Sequence, residues 1–346
     1  MQKSNNLICI FFLTLLYSPL FSAELIPASR HGLWGFLDEF GNIVYPAKFI
    51  SVSRFSSGVA KIEIQKGKFS FLYKNGVIKS FIFIHYNTRL FSESMLAIQD
   101  KKTLKWGFAD INFKIIIPCI YDNVSDFYNG VARVEKNKKS GYIDKKGEIL
   151  IPLIYSSGKP AGSNGLIAVK KENLWGYVDK ENNTVIDFQF LYAESFSERI
   201  AVVSYDKKRY FFIDEKGRWL FNQKFDFCAS FSEGVATVGR RCSPISFRYG
   251  VIDNFGKIII PIENDFIYPF SEGKAVYGIN GKYGYIDKKF HLVIPLEYEF
   301  AESFQNGFAC VWTSSEKKIL RPGITCNELK NPIYINHKNY KFIYRP

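Results

Sequence analysis

Apolar residues along this chain come in short β-prone runs separated by turn residues, and no stretch keeps a sustained 3.6-residue stripe with helix caps. The clearest example is Tyr249 to Gly273, YGVIDNFGKIIIPIENDFIYPFSEG. Its first run ends in Asp253, a turn passes through Gly256, and a second run climbs through Ile258, Ile259 and Ile260 to Pro261. Asp accepts turn amides and Gly takes positive φ, so the pair of runs reads as a β-hairpin. Phe270-Ser271-Glu272-Gly273 follows as an aromatic-anchored loop that feeds a third strand at Ala275-Val276. In Val131–Glu135 and Tyr142–Asp144 large apolar residues do not simply alternate with polar ones, which buries both faces of each sheet in part. The expected class is all-β.

The unit recurs. Its hairpin start stands at Trp34-Gly35, Phe69-Ser70, Trp106-Gly107, Ser140-Gly141, Trp175-Gly176, Tyr210-Phe211, Tyr249-Gly250 and Tyr283-Gly284, a period of about 36 residues. The loop recurs in step at Phe55, Phe91, Phe127, Phe196, Phe231, Phe270 and Phe304, with Ser163-Asn164-Gly165 in the remaining slot. The third strand of one copy runs on into the aromatic-Gly strand of the next. Each sheet is therefore expected to combine third strand, aromatic-Gly strand and Ile-Pro strand, and each copy to span two sheets.

The aromatic-Gly-aromatic-Ile-Asp start, the Gly-x-Ile-x-Ile-Pro strand (Gly147–Pro152, Gly256–Pro261) and the Phe-Ser-Glu-Gly loop resemble the bacterial WG-repeat proteins, over residues 32 to 312. Copy two lacks Trp-Gly and the Ile-Pro end, and copy four lacks the Phe anchor. The resemblance implies an extracytoplasmic or secreted interaction repeat and brings no catalytic residues to transfer.

Two architectures bury such sheets: a propeller-like closed ring of about eight units, or an open superhelical β stack. The ring is the expected one, because Phe308–Trp312 is left unpaired at one end and Trp34–Asp38 at the other, and pairing them completes a sheet. The competing cap is the tail, where Asn339–Tyr344 reads as one more aromatic first strand. The chain thus divides into 1–23, 24–312 with eight repeats, and a non-repeating cap at 313–346.

Residues 1–23 place Lys3 ahead of an apolar core from Leu7 to Leu16 and small residues at Ser22-Ala23, the order of a cleaved secretory signal peptide. No later run reaches the roughly 18 apolar residues of a membrane helix. A secreted or periplasmic protein is expected. In an oxidising compartment the expected disulfides are Cys228 with Cys242 and Cys310 with Cys326. The net charge of +13 favours anionic partners through long-range steering, but Lys at turn tips and strand-joining loops accounts for it as edge protection. An anionic surface stays open as a partner, and nucleic acid is not expected.

Candidate chemistry is sparse. The four His (His31, His85, His291, His337) lie at no metal-ligand spacing. Asp38, Asp110, Asp144, Asp179, Asp214, Asp253 and Asp287 each precede a turn, which explains them structurally. Glu233 and Glu272 repeat within loops, whereas a catalytic acid belongs in one unusual setting. Trp34, Trp106 and Trp175, with Tyr249 and Tyr283, are expected to pack between sheets. No catalytic, cofactor or metal residue is assigned, and the binding residues stay unknown. The expected function is a non-catalytic repeat scaffold for a protein or glycan partner; the alternative is a glycan-active enzyme with a composite site across a propeller axis.

Overall fold

The computed structural model describes residues 24–80, 89–244, 246–313, 333–339 and 341–342. Among them every regular element is a strand, and the strands form nine antiparallel sheets of three or four strands. We number these in chain order as blades 1 to 9, with strands spanning 26–49, 51–80, 95–121, 123–155, 157–190, 192–213, 227–264, 266–298 and 300–342. Blade 4 shows the plan. A two-residue edge strand, Asn123–Val124, pairs with the third strand Val131–Lys136, which pairs with Lys139–Asp144, which pairs with the Ile-Pro strand Ile149–Tyr155.

A bulge explains the Gly and Pro of the repeat. In blade 4 Ser140 faces Tyr155 while Tyr142 faces Ile151, so two steps on one strand oppose four on its neighbour. The surplus residues arch over Gly141, where a Cβ would lie 2.5 Å from the Ile151 carbonyl oxygen. Equivalent carbonyls would meet a Cβ at Gly35 (2.3 Å), Gly107 (2.4 Å), Gly176 (2.8 Å), Gly250 (2.6 Å) and Gly284 (2.4 Å). Pro152, Pro118, Pro261 and Pro295 sit exposed on the arch, where the ladder needs no amide.

Packing between blades rests on aromatic pairs 19 residues apart. In blades 1, 3, 5, 6 and 8 the aromatic after the signature pair is buried, and its ring meets the edge of a loop Phe that leads into the following blade, whereas Val251 follows Gly250 in blade 7. Phe36–Phe55, Phe108–Phe127, Tyr177–Phe196, Phe212–Phe231 and Tyr285–Phe304 have centroids 4.8–5.0 Å apart, T-shaped in each case. Such geometry adds about 0.5–1.5 kcal/mol to the area buried. In copy four the Phe slot holds Gly162. There Tyr142 reaches further, donates its O–H to the Lys159 carbonyl at 2.6 Å, and occupies space that Gly158 leaves free.

The ring closes, but with nine blades rather than eight and without the expected strand pairing. Ile26–Arg30 pairs with Leu33–Leu37 and supplies the missing strand of blade 1. Phe308–Trp312 pairs with Ile333–Asn336, and that strand with Lys341–Phe342, so the tail completes blade 9 from its own residues. Ile333–Asn336 rather than Asn339–Tyr344 takes the first-strand slot. Blades 9 and 1 then meet face to face, with Cys310, Tyr334 and Phe342 sharing a core with Leu25, Ile26 and Ala28. Each sheet is complete before it packs, so no strand needs to cross the seam.

The expected Cys228–Cys242 bridge is not formed: both thiols are free. Cys228 pairs in register with Val238, leaving Cys242 four residues further along the same strand, beyond the reach of a disulfide. Cys310 is disulfide-bonded, and Cys326 lies outside the described residues.

Candidate functional site

The repeated polar residues are engaged by the scaffold. Each signature Asp accepts two turn amides on one carboxylate oxygen, two and four residues ahead. At Asp253 the donors are Phe255 N–H (3.0 Å) and Lys257 N–H (2.9 Å), and Asp38, Asp110, Asp144, Asp179, Asp214 and Asp287 repeat the pattern. The hydrogen bonds hold the Asp179 carboxyl below the usual range, the Asn183 side chain contributing most.

The Phe-Ser-Glu-Gly loops form a hydrogen-bonded ring. Their third and fourth residues both have positive φ, as in Glu233 (57°) and Gly234 (78°) or Glu272 (53°) and Gly273 (76°), the backbone of a type I′ turn. This presents the Ser and Glu side chains to the next loop. The hydroxyls of Ser56, Ser92, Ser197 and Ser271 donate to the carbonyls of Phe91, Phe127, Phe231 and Phe304 at 2.5–2.7 Å. The carboxylates of Glu93, Glu198, Glu233 and Glu272 accept the amides of Gly130, Gly234, Gly273 and Gly307 at 2.8–3.1 Å. Where Asn164 and Arg199 replace the usual residues, Glu215 joins them, accepting from both. Glu233 and Glu272 thus act as loop ties.

Among the described residues there are eight such loops, and the first strand of blade 1, Ile26–Arg30, follows Glu24 and Leu25. At that position the ring is bridged by side chains. Asn306 donates to Glu24 Oε1, and Arg54 Nη1 reaches across blade 1 to the Gln305 carbonyl, each at 3.2 Å. A cavity of about 440 Å³ opens beneath, lined by Glu24, Ser53–Gly58, Lys74, Leu90, Glu302, Gln305, Asn306 and Tyr334. The Arg54 guanidinium lies 5.0 Å from the centroid of the Tyr334 ring. Burial pushes the Tyr334 hydroxyl up, opposed by Arg54. The lining mixes two cations, two carboxylates, hydroxyls and amides, so it suits a polar ligand of low apolar content.

Such a blade ring, with its bulged Gly and looped Phe-Ser-Glu-Gly, matches the model of the WG containing repeat over residues 34–69, 106–139, 141–175, 175–208, 210–239, 249–283 and 283–311. The chain belongs to the WG containing repeat family. The eroded second copy contributes no match of its own, in keeping with its lost Trp-Gly. No curated protein matches the WG-repeat chain. Among solved structures it is similar to a eukaryotic initiation factor, at 10% identity over 92% of this chain and 95% of that one, with a TM-score of 0.61. BamB from Moraxella catarrhalis (13%, 79% and 93%, 0.42) and Hsv2p of Kluyveromyces lactis (10%, 68% and 93%, 0.42) are also similar. Identities this low speak to fold alone.

The signature aromatics serve packing. Trp34 and Trp106 are 9% exposed, and Trp175, Tyr249 and Tyr283 are half-buried against neighbouring cores. His291 pairs with Asp287, and His337 with Glu272; His85 lies outside the described residues. Among the described residues no three His, Cys, Asp or Glu side chains gather as a metal group, and no helix is long and apolar enough to cross a membrane. Sequence reasoning missed the cavity residues. Arg54 was the available signal, a cation just before a loop Phe.

Proposed function

We propose that this WG-repeat propeller is an exported, non-catalytic scaffold that holds a protein or glycan partner at the cell envelope or outside the cell, with the seam cavity as the contact. The observation that supports this reading is the polar cavity at the seam of blades 9 and 1. Everywhere else the repeated Ser, Glu and Asp are satisfied within the scaffold, which makes it rigid and leaves those groups engaged. At the seam Arg54, Lys74, Glu24 and Glu302 line one cavity. Rigid architecture with one irregular, polar recess is how repeat folds carry binding. The order of charged, apolar and small residues in 1–23 supports export.

The test compares wild type with Arg54→Ala and Glu302→Gln in pull-downs from cell-surface material and on a glycan array, alongside fractionation and N-terminal sequencing. A partner held by wild type and lost by both variants supports the reading, as does a mature N-terminus at Glu24. A retained glycan that is cleaved would favour the enzyme alternative, and a cytoplasmic full-length chain would sink export.

A further inference from the structure

Blade 6 breaks the repeat in a second way. After its Asp214 turn the chain reads Gly217-Arg218-Trp219-Leu220-Phe221-Asn222-Gln223 in place of Gly-x-Ile-x-Ile-Pro. No Ile-Pro strand forms there. The sheet has three strands, Tyr192–Ala193, Ala201–Ser204 and Phe211–Ile213, and Trp219 is joined to it by a single bridge to Ile213. Trp219 takes the register that Ile149 and Ile258 hold in blades 4 and 7, and Phe225 bridges Tyr210 further on, but no continuous strand joins the two bridges.

The result is an aromatic surface unlike the rest of the ring. Trp219 rests on Phe211 with centroids 4.5 Å apart, and Tyr205 stacks on the same Phe211 at 5.3 Å and 29°. Phe211 is buried, while Trp219 and Tyr205 each remain 43% exposed. Lys224 Nζ stands 5.1 Å from the Trp219 centroid, and exposed Lys207 and Lys208 lie two and three residues after Tyr205. None of the neighbouring acids forms an ion pair with these lysines, although Asp206 attracts the Lys208 ammonium at longer range. Asp206 caps the amides of Lys208 and Arg209, Asp214 pairs with Arg218, and Asp226 pairs with Arg209. Among the described residues none of Lys207, Lys208 and Lys224 takes part in an ion pair. The Tyr205 hydroxyl, hydrogen-bonded to Gln189 at 3.2 Å, adds a polar edge.

We infer that this surface binds an acidic polysaccharide, with sugar faces laid on Trp219 and Tyr205 and carboxylate or sulfate groups met by Lys207, Lys208 and Lys224. Two open rings on a common rigid support offer flat apolar faces at low entropic cost, and the unpaired ammoniums supply charge complementarity. The inference rests on the interaction reading above, and export favours glycans over nucleic acid as the anionic polymer encountered.

The experiment titrates the purified mature chain with polygalacturonate, heparin, neutral dextran and oligo-dT, following tryptophan emission and calorimetry. Polygalacturonate or heparin should shift the emission saturably and dextran should not. Trp219→Phe should abolish that signal, since the exposed indole reports it, and Trp219→Ala should weaken binding by about tenfold. Lys207→Glu with Lys224→Glu, placed at exposed positions and so independent of core folding, should weaken binding and flatten its salt dependence. Phe40→Ala, at an exposed turn tip of blade 1, should bind as wild type. No saturable response to either acidic glycan, unchanged affinity in Trp219→Ala, or tighter binding of oligo-dT overturns the proposal. Loss of glycan in Arg54→Ala alone would also overturn it, while keeping the seam as an interaction site.

Discussion

The carboxylate of Glu198 accepts the amide N–H of Gly234 at 2.8 Å, across 36 residues of sequence and from one blade loop to the next. One repeated tie of this kind turns a row of small sheets into a ring, because each blade's loop is held by the previous blade's side chain. Removing Glu233, its counterpart one loop on, should therefore weaken the whole array. Glu233→Ala leaves the Gly273 amide without its acceptor and should cost about 1 kcal/mol, since the group is partly exposed to water. Chemical denaturation of Glu233→Ala, Glu272→Ala and the double variant checks it, and an unchanged midpoint in all three would refute the tie.

The signature glycines should differ sharply in tolerance to Ala. At Gly284 a Cβ would fall 2.4 Å from the Ile294 carbonyl oxygen, whereas at Gly307 nothing lies within 4 Å and only the φ of 82° resists. Gly284→Ala must push the bulged strand away and should cost about 3 kcal/mol. Gly307→Ala should cost about 1 kcal/mol through backbone strain. Equal losses in thermal melts would contradict the bulge as the reason for the Gly.

Truncating a loop anchor should be costlier still. Phe127 is buried against Phe108 and lies in a core shared by blades 3 and 4, so Phe127→Ala should destabilise by about 3–5 kcal/mol. The comparison is Phe255→Ala at a turn tip, where the ring is 83% exposed and the change should be close to neutral. Urea midpoints measure both.

Acid should loosen the turns. Asp179 and Asp122 are held below the ordinary carboxylate range, the first mainly by the Asn183 side chain and the second mainly by Lys105. A carboxylate depressed in the folded state contributes stability above its unfolded value, and that contribution is lost as pH falls through the folded value. Stability should stay level from neutrality down to the ordinary Asp range near 3.8 and decline below it. Asp179→Asn should decline less steeply there, as measured by denaturation at a series of acidic pH values.

The free thiols should label in a fixed order. Cys242 is exposed, whereas burial raises the Cys228 thiol well above its usual value. Iodoacetamide on the native protein should modify Cys242 and spare Cys228 until denaturant is added. Peptide mass spectrometry reads the outcome, and a Cys228–Cys242 bridged peptide would contradict free thiols at both positions.

The hairpins, the roughly 36-residue period and the way each copy spans two sheets were legible in the letters, because a turn Asp, a bulge Gly and a strand Pro each answer a local backbone requirement. So was the structural use of the repeated Asp, whose donors lie two and four residues away. The third repeat signal, an aromatic three residues after Pro (Phe49, Tyr121, Tyr155, Tyr298), was readable and missed; each faces its blade's Trp, Ser or Tyr across the bulge.

Other features depend on what distant segments do to one another. Ile26–Arg30 and Ile333–Asn336 carry none of the repeat's letters, and they became blade strands because unpaired edges beside them had amides to satisfy. Register along one strand kept Cys228 from Cys242. The count of nine blades and the cavity between Arg54 and Glu302 both follow from closing the circle. Local chemistry specifies each module, but closure is a property of the angles at which modules pack, and no single copy encodes it.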